Sequence, residues 1–283
     1  MTNQERHQLA LAACKIRMGV IEATHSAKCG HPGGSLSAAD MFTYLYFKEL
    51  RIDPANPRKA DRDRFVLSKG HTAPGLYSAL AHRGFFPVED LTTLRQIGSY
   101  LQGHPNMNSV PGVDMSTGSL GQGVSVAAGM AKAAKYMNRD VNVYTVLGDG
   151  EIAEGEVWEA FLFASHYNLD NFCAIIDLNG LQIDGRTKDV MNTAPVSDKM
   201  AAFGFNVIEI DGHNFDDMEA AFANFRACEG KPTVILMKTI KGKGVSYMTD
   251  NADWHGKAPN DAEFEVAMSE LRAQLAELEA AHE

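Results

Sequence analysis

The chain has 283 residues, 45% of them hydrophobic and 22% charged, the balance of an ordinary globular protein. That excludes a disordered tail, a collagen-like repeat and a coiled coil, and the length suffices to bury a large core. With 26 Lys+Arg against 36 Asp+Glu the formal charge is −10, which disfavours a nucleic-acid backbone as partner but leaves room for a small anion held by local cations.

Met1 to Ala13 is polar, without the apolar stretch of a signal peptide, and no apolar run approaches the ~20 residues that cross a bilayer. Cys14, Cys29, Cys173 and Cys228 form no C-x-x-C pair, which suits a reduced compartment. The expectation is a cytoplasmic protein without a membrane span.

Asn3 to Thr24 places Leu9, Ala12, Ala13, Ile16 and Val20 at helical spacing. Helices are also predicted over Ser37 to Phe47, Thr72 to His82 and Val88 to Leu94, with a short strand at Arg64 to Leu67. Gly121 to Met137 reads as a helix rich in Gly and Ala. Asn142 to Leu147 is a buried strand broken by Gly148-Asp149-Gly150, and a helix over Gly155 to Tyr167 follows. Phe172 to Asp177, Asn206 to Ile210 and Thr233 to Lys238 are further strands, with a helix at Phe215 to Ala227. Apolar strands separated by helices predict an α/β fold, a parallel sheet with helices on both faces. The amphipathic helix Asp261 to His282 reads as a C-terminal extension outside the core. No linker divides the chain, so residues 1–283 are expected to form a single domain.

In such sheets ligands bind beyond the carboxyl ends of the strands. Asp149 sits there between two glycines, and Asn179 follows the next strand. A carboxylate and an amide oxygen suit a hard cation such as Mg²⁺ that shares its oxygens with a diphosphate. Glycines let the backbone approach phosphate, and Gly150 could donate its N–H. Gly-Asp-Gly and Asn-Gly are each also common turns after strands. The pair, each directly after a strand, is much harder to dismiss as turns alone.

The segments GHPGGSLSAAD (Gly30 to Asp40), DRFVLSKGHTAPGLY (Asp63 to Tyr77), GHP (Gly103 to Pro105), STGSLGQG (Ser116 to Gly123), LGDGEIAEGEVWEA (Leu147 to Ala160), and KTIKGKG with WHGKAP (Lys238 to Pro259) occur in that order. Together they resemble the N-terminal, thiamin-diphosphate-binding half of a transketolase. The resemblance implies thiamin diphosphate as cofactor and Mg²⁺ as metal, with Ca²⁺ or Mn²⁺ as substitutes. It implies Asp149, Asn179 and the Leu181 carbonyl as metal ligands. Gly118, Ser119 and Leu120 would line the cofactor. Of the ten histidines, it assigns His71 and His255 to the cofactor, His31 and His255 to the sugar, and His104 to a ketose hydroxyl. Lys241 would approach the diphosphate, Glu154 would join a carboxylate relay between active sites, and Glu159 would support it. For Glu154 and Glu159 a helix-dipole role stays open. For Lys69 and Lys243 a solvated charge does. His7, His25, His82, His166, His213 and His282 lack motif support and read as surface or structural. The sequence departs from several transketolases at Gly34 and from many thiamin enzymes at Gly180.

The implied activity is transfer of a two-carbon ketol unit from a ketose phosphate to an aldose phosphate, a pentose-phosphate type of interconversion. The pyrimidine and C-terminal domains of a transketolase have no counterpart in these residues. The expectation is a split enzyme, an α₂β₂ heterotetramer whose second pole lies on a separate pyrimidine-domain chain. The alternatives are another thiamin C–C enzyme, of deoxyxylulose-phosphate synthase or unusual-sugar type, or a non-catalytic thiamin-diphosphate-binding subunit.

Overall fold

Residues 1–281 are described by the computed structural model. The chain opens with α1 (Asn3–Ala27), α2 (Pro32–Ser37), α3 (Ala39–Tyr44) and a π turn at Leu45–Glu49. β1 (Arg64–Leu67) precedes α4 (Ala73–Arg83) and α5 (Gln122–Tyr136). β2 (Val143–Gly148) leads through α6 (Gly155–His166) to β3 (Phe172–Leu178). A short antiparallel pair, β4 (Leu181–Gln182) and β5 (Gly185–Arg186), is followed by α7 (Thr187–Val190) and α8 (Val196–Ala202). β6 (Asn206–Asp211), α9 (Phe215–Ala227), β7 (Thr233–Lys238) and α10 (Asp261–Ala280) complete it.

The main sheet has five strands in the order β1-β2-β3-β7-β6, and every pairing is parallel. Alternate side chains point to opposite faces, so each apolar strand feeds two cores. Phe65, Tyr144, Cys173 and Ile235 pack against α1, α3, α4 and α9 on one side. Val66, Val143, Ala174 and Val234 pack against α5, α6 and α8 on the other. Burial on both faces is why these strands read as continuous apolar runs. The register sets Gly148 opposite Asp177 and Leu178 opposite Lys238, which aligns the strand ends along one rim.

Local chemistry changes three predicted elements. The helix expected at Ser37 to Phe47 is α2, α3 and the π turn. Pro32 starts α2 early, and Ser37 turns its hydroxyl to Gly34 and Asp177 instead of continuing one helix. Val88–Thr93 is a 3₁₀ turn, where Thr92 and Thr93 hydroxyls donate to carbonyls three residues back. α10 is not outside the core: Ala267, Met268 and Leu271 are buried against Val20, Ile21 and Trp254. His25 stacks on Phe264 and meets Asp261, joining α1 to α10. His282, the last residue of the expected helix, lies outside the described residues. Among the described residues no helix is long and apolar enough to cross a membrane.

Candidate active site

The loops after β1, β2, β3 and β7 meet in a cleft of about 450 Å³. Asp149, just past β2, is 4% exposed. Its oxygens accept N–H groups from Gly150 at 2.9 Å and Gly180 at 2.6 Å. Burial, helped by the nearby Asp177 charge, pushes its carboxyl up to about 7. Asn179 Oδ1 accepts the Leu181 N–H at 3.1 Å, and the Leu181 carbonyl faces the Lys241 ammonium at 3.5 Å.

A second carboxylate anchors the floor. Asp177, at the end of β3, is fully buried and accepts from Lys69 Nζ at 2.5 Å, Ser37 Oγ at 2.6 Å, Asn179 Nδ2 at 3.1 Å and the Thr239 hydroxyl. Burial alone would raise its pKa; the Lys69 charge and these donors outweigh that and hold it below the usual carboxylate range. Lys69 is 1% exposed, so it is not a solvated charge. Lys241 is also buried, and its Nζ lies 2.9 Å from His255 Nδ1. Burial draws its pKa down to about 8, against the opposing pull of Asp149.

Three imidazoles close one wall. Ring centroids are 5.1 Å apart for His31 and His71, 5.4 Å for His31 and His255, and 5.1 Å for His71 and His255, which stack. Burial first, then neighbouring cations, lowers His31 to about 4 and His255 to about 3, and carries His71 well below 6.5. All three are neutral at pH 7 and can donate to or accept from hydroxyls. His31 Nδ1 and Gln182 Nε2 are buried here with no partner among the described residues. Such orphans fit a polar ligand.

The profile described as "Transketolase, thiamine diphosphate binding domain" matches residues 8–276. The chain belongs to this family. It is 42% identical over 272 residues to the 6-deoxy-6-sulfo-D-fructose transketolase subunit SqwG of Clostridium sp. strain MSTE9, covering 96% of this chain and 99% of that one. It is 42% identical over 271 residues to an apulose-4-phosphate transketolase subunit of Phocaeicola vulgatus, covering 96% of each. The crystal structure of Campylobacter jejuni transketolase superposes with a TM-score of 0.88 at 32% identity, covering 98% of this chain and 46% of that one. The chain thus spans nearly all of the two subunits and less than half of the transketolase chain from C. jejuni.

In this transketolase domain the cleft brings together His31, His71, His255, Gly118, Leu120 and Asp149 with Gly150, Glu154, Asn179, Leu181 and Lys241. His104 and Ser119 do not line it. His104 stands beside its rim, where a Cβ on Gly118 (φ +155°) would lie 2.9 Å from the imidazole. Glu154 and Glu159 are exposed, the former at the cleft mouth. His213 is structural, bonded to Asp40 and to the Ile240 N–H.

Two buried carboxylates at the site received no role from the sequence. Asp177 is the acidic last residue of the predicted strand, a visible signal. Glu151 is buried and accepts from Ser68 Oγ and from the Gly121 and Gly148 N–H groups at 3.0 Å, tying the start of α5 to the end of β2. It follows the Gly148-Asp149-Gly150 turn and precedes the predicted helix, where a glutamate reads as an ordinary loop charge.

Proposed function

We propose that this chain is the diphosphate-binding subunit of a two-component transketolase that moves a two-carbon ketol unit between sugar phosphates. The observation that carries the reading is the pairing, in one cleft, of the oxygen set Asp149, Asn179 and Leu181 with three neutral imidazoles. One buried carboxylate with neutral oxygens suits Mg²⁺ shared with a diphosphate. Among the described residues no cluster of three His, Cys, Asp or Glu side chains offers a different kind of metal site.

Asp149, Asn179 and the Leu181 carbonyl would hold the metal, with Ca²⁺ or Mn²⁺ as substitutes. Gly150 N–H, Lys241, His71 and His255 would hold the thiamin diphosphate against Gly118, Ser119 and Leu120. Bound thiamin diphosphate supplies the electron sink for carbon–carbon cleavage. His31 and His255 orient sugar hydroxyls, and His104 reaches them from the rim. Glu154, exposed at the mouth, would extend a carboxylate relay into a subunit interface, supported by Glu159. The names of both subunit relatives support a separate partner chain. We assign the second pole of the site to such a pyrimidine-domain partner, in an α₂β₂ assembly.

The test is co-expression with the partner chain and assay of ketose and aldose phosphate pairs with thiamin diphosphate and Mg²⁺. Turnover is expected only with both chains present. Full turnover by the single chain would sink the two-component reading.

A further inference from the structure

Lys241 sits on a loop, Thr239 to Gly244, that follows β7 without regular structure of its own. A turn bond from the Lys243 N–H to the Ile240 carbonyl at 3.2 Å closes it, and backbone bonds tie Gly242 to Gly33 and Lys241 to Asp250. Two side chains from distant elements grip its backbone on either side of Lys241. His213, in the turn after β6, accepts the Ile240 N–H on Nε2 at 2.9 Å. Arg17, on α1, donates from Nε to the Lys243 carbonyl at 3.2 Å.

Both grips share one carboxylate. Asp40 of α3 accepts from the Arg17 guanidinium at 2.5 Å and from His213 Nδ1 at 2.7 Å. The three side chains are only 5%, 8% and 12% exposed for Arg17, Asp40 and His213. Accepting on Nε2 while donating from Nδ1 fixes the neutral tautomer with its proton on Nδ1. Each ring nitrogen is therefore committed. A buried ion pair adds little net stability over an apolar replacement, so its value lies in what it orders. Gly242 (φ +74°), beside Lys241, shows how closely this loop is seated: a Cβ there would lie 2.2 Å from the Met248 carbonyl oxygen.

We propose that Arg17, Asp40 and His213 form a buried positioning clamp that fixes the backbone on both sides of Lys241 and so holds its ammonium in the cleft. The clamp's purpose rests on reading Lys241 as the diphosphate's cation; its existence does not. Asp40 sets the tautomer of His213 and the direction of Arg17, and these two set the loop.

Acetic anhydride labelling of the folded full-length chain, resolved by peptide mass spectrometry, reads Lys241 and Lys69 side by side. Lys69 is the internal control, equally buried but held by Asp177. His213→Leu removes both bonds and should raise Lys241 labelling about tenfold while Lys69 stays as in the parent. His213→Gln, which keeps a donor and an acceptor, should restore protection. If His213→Leu does not fold, Arg17→Lys serves: it keeps a charge for Asp40 but loses the Nε–H that reaches Lys243, and Lys241 labelling should rise likewise. Unchanged Lys241 labelling in either folded variant, an equal rise at Lys69, or no rescue by glutamine overturns the clamp. With no cofactor or partner in the experiment, these outcomes do not depend on ketol transfer.

Discussion

Asp149 and Asp177 leave neighbouring strands at the same rim, yet their environments oppose each other. Asp177 has its own cation, Lys69, and three further donors, and it stays ionised despite complete burial. Asp149 is bonded by two backbone N–H groups, and burial pushes it up to about 7. A satisfied carboxylate braces structure; a buried one left short of positive charge is ready for a cation from outside. The cleft thus sets an ion-paired carboxylate beside one bonded only by backbone N–H groups, the one proposed above to hold the metal.

Removing one carboxylate at a time separates the two roles. Asp177→Asn leaves Lys69 buried without its counter-ion, and should cost about 3 kcal/mol or more of stability by urea unfolding. Adding Lys69→Met should recover most of that loss. Asp149→Asn should do the reverse. Unfolding of the metal-free chain should be eased less than by Asp177→Asn, because the loss of one of its two N–H acceptors is offset by removing a desolvated carboxylate. Titration calorimetry of the assembled complex should show Mg²⁺-dependent thiamin diphosphate affinity falling about 100-fold. Equal stability losses in the two variants would erase the contrast.

The histidine wall gives a smaller, pH-dependent effect. Folding lowers His31 from 6.5 to about 4 and His255 from 6.5 to about 3. The unfolded chain takes up these protons near 6.5 while the folded chain does not. Their stabilisation is therefore complete above 6.5 and is lost as pH falls towards the folded values. His255→Gln should lose less melting temperature than the parent between about pH 7 and about pH 4.5, as read by circular dichroism. An unchanged acid limb would mean that these rings are not desolvated.

The sheet was legible because its strands are buried on both faces and bounded by glycine turns; α9 and β7 fall where periodicity places them. Asp149 and Asn179 stood out only as a pair: each alone matches a common turn, but two such residues, each directly after an apolar strand, share one rim. Lys69 and Asp177 lie 108 positions apart, and an ion pair at that separation has no local signature. Arg17 reads as an ordinary charge on a helix, and only the packed fold turns it inward. α10 misled because only Ala267, Met268 and Leu271 are buried, a narrow stripe on a helix that leaves other apolar residues such as Val266 exposed. His104 was placed through its motif, whereas its position at the rim is a tertiary fact.

The strand order carries a consequence for synthesis. β7 is the last strand of the main sheet to emerge, yet it lies between β3 and β6. A nascent chain that stops short of Thr233 has two strands with no neighbour on that side, and Ile175 and Ile208 lack the Ile235 that sits beside both. Thr239 and Lys241 follow directly, so Asp177 gains its last hydroxyl donor only after β7 is seated. Sheet closure and the arrival of Thr239, Lys241 and His255 at the cleft thus both belong to the late stretch of the chain's synthesis.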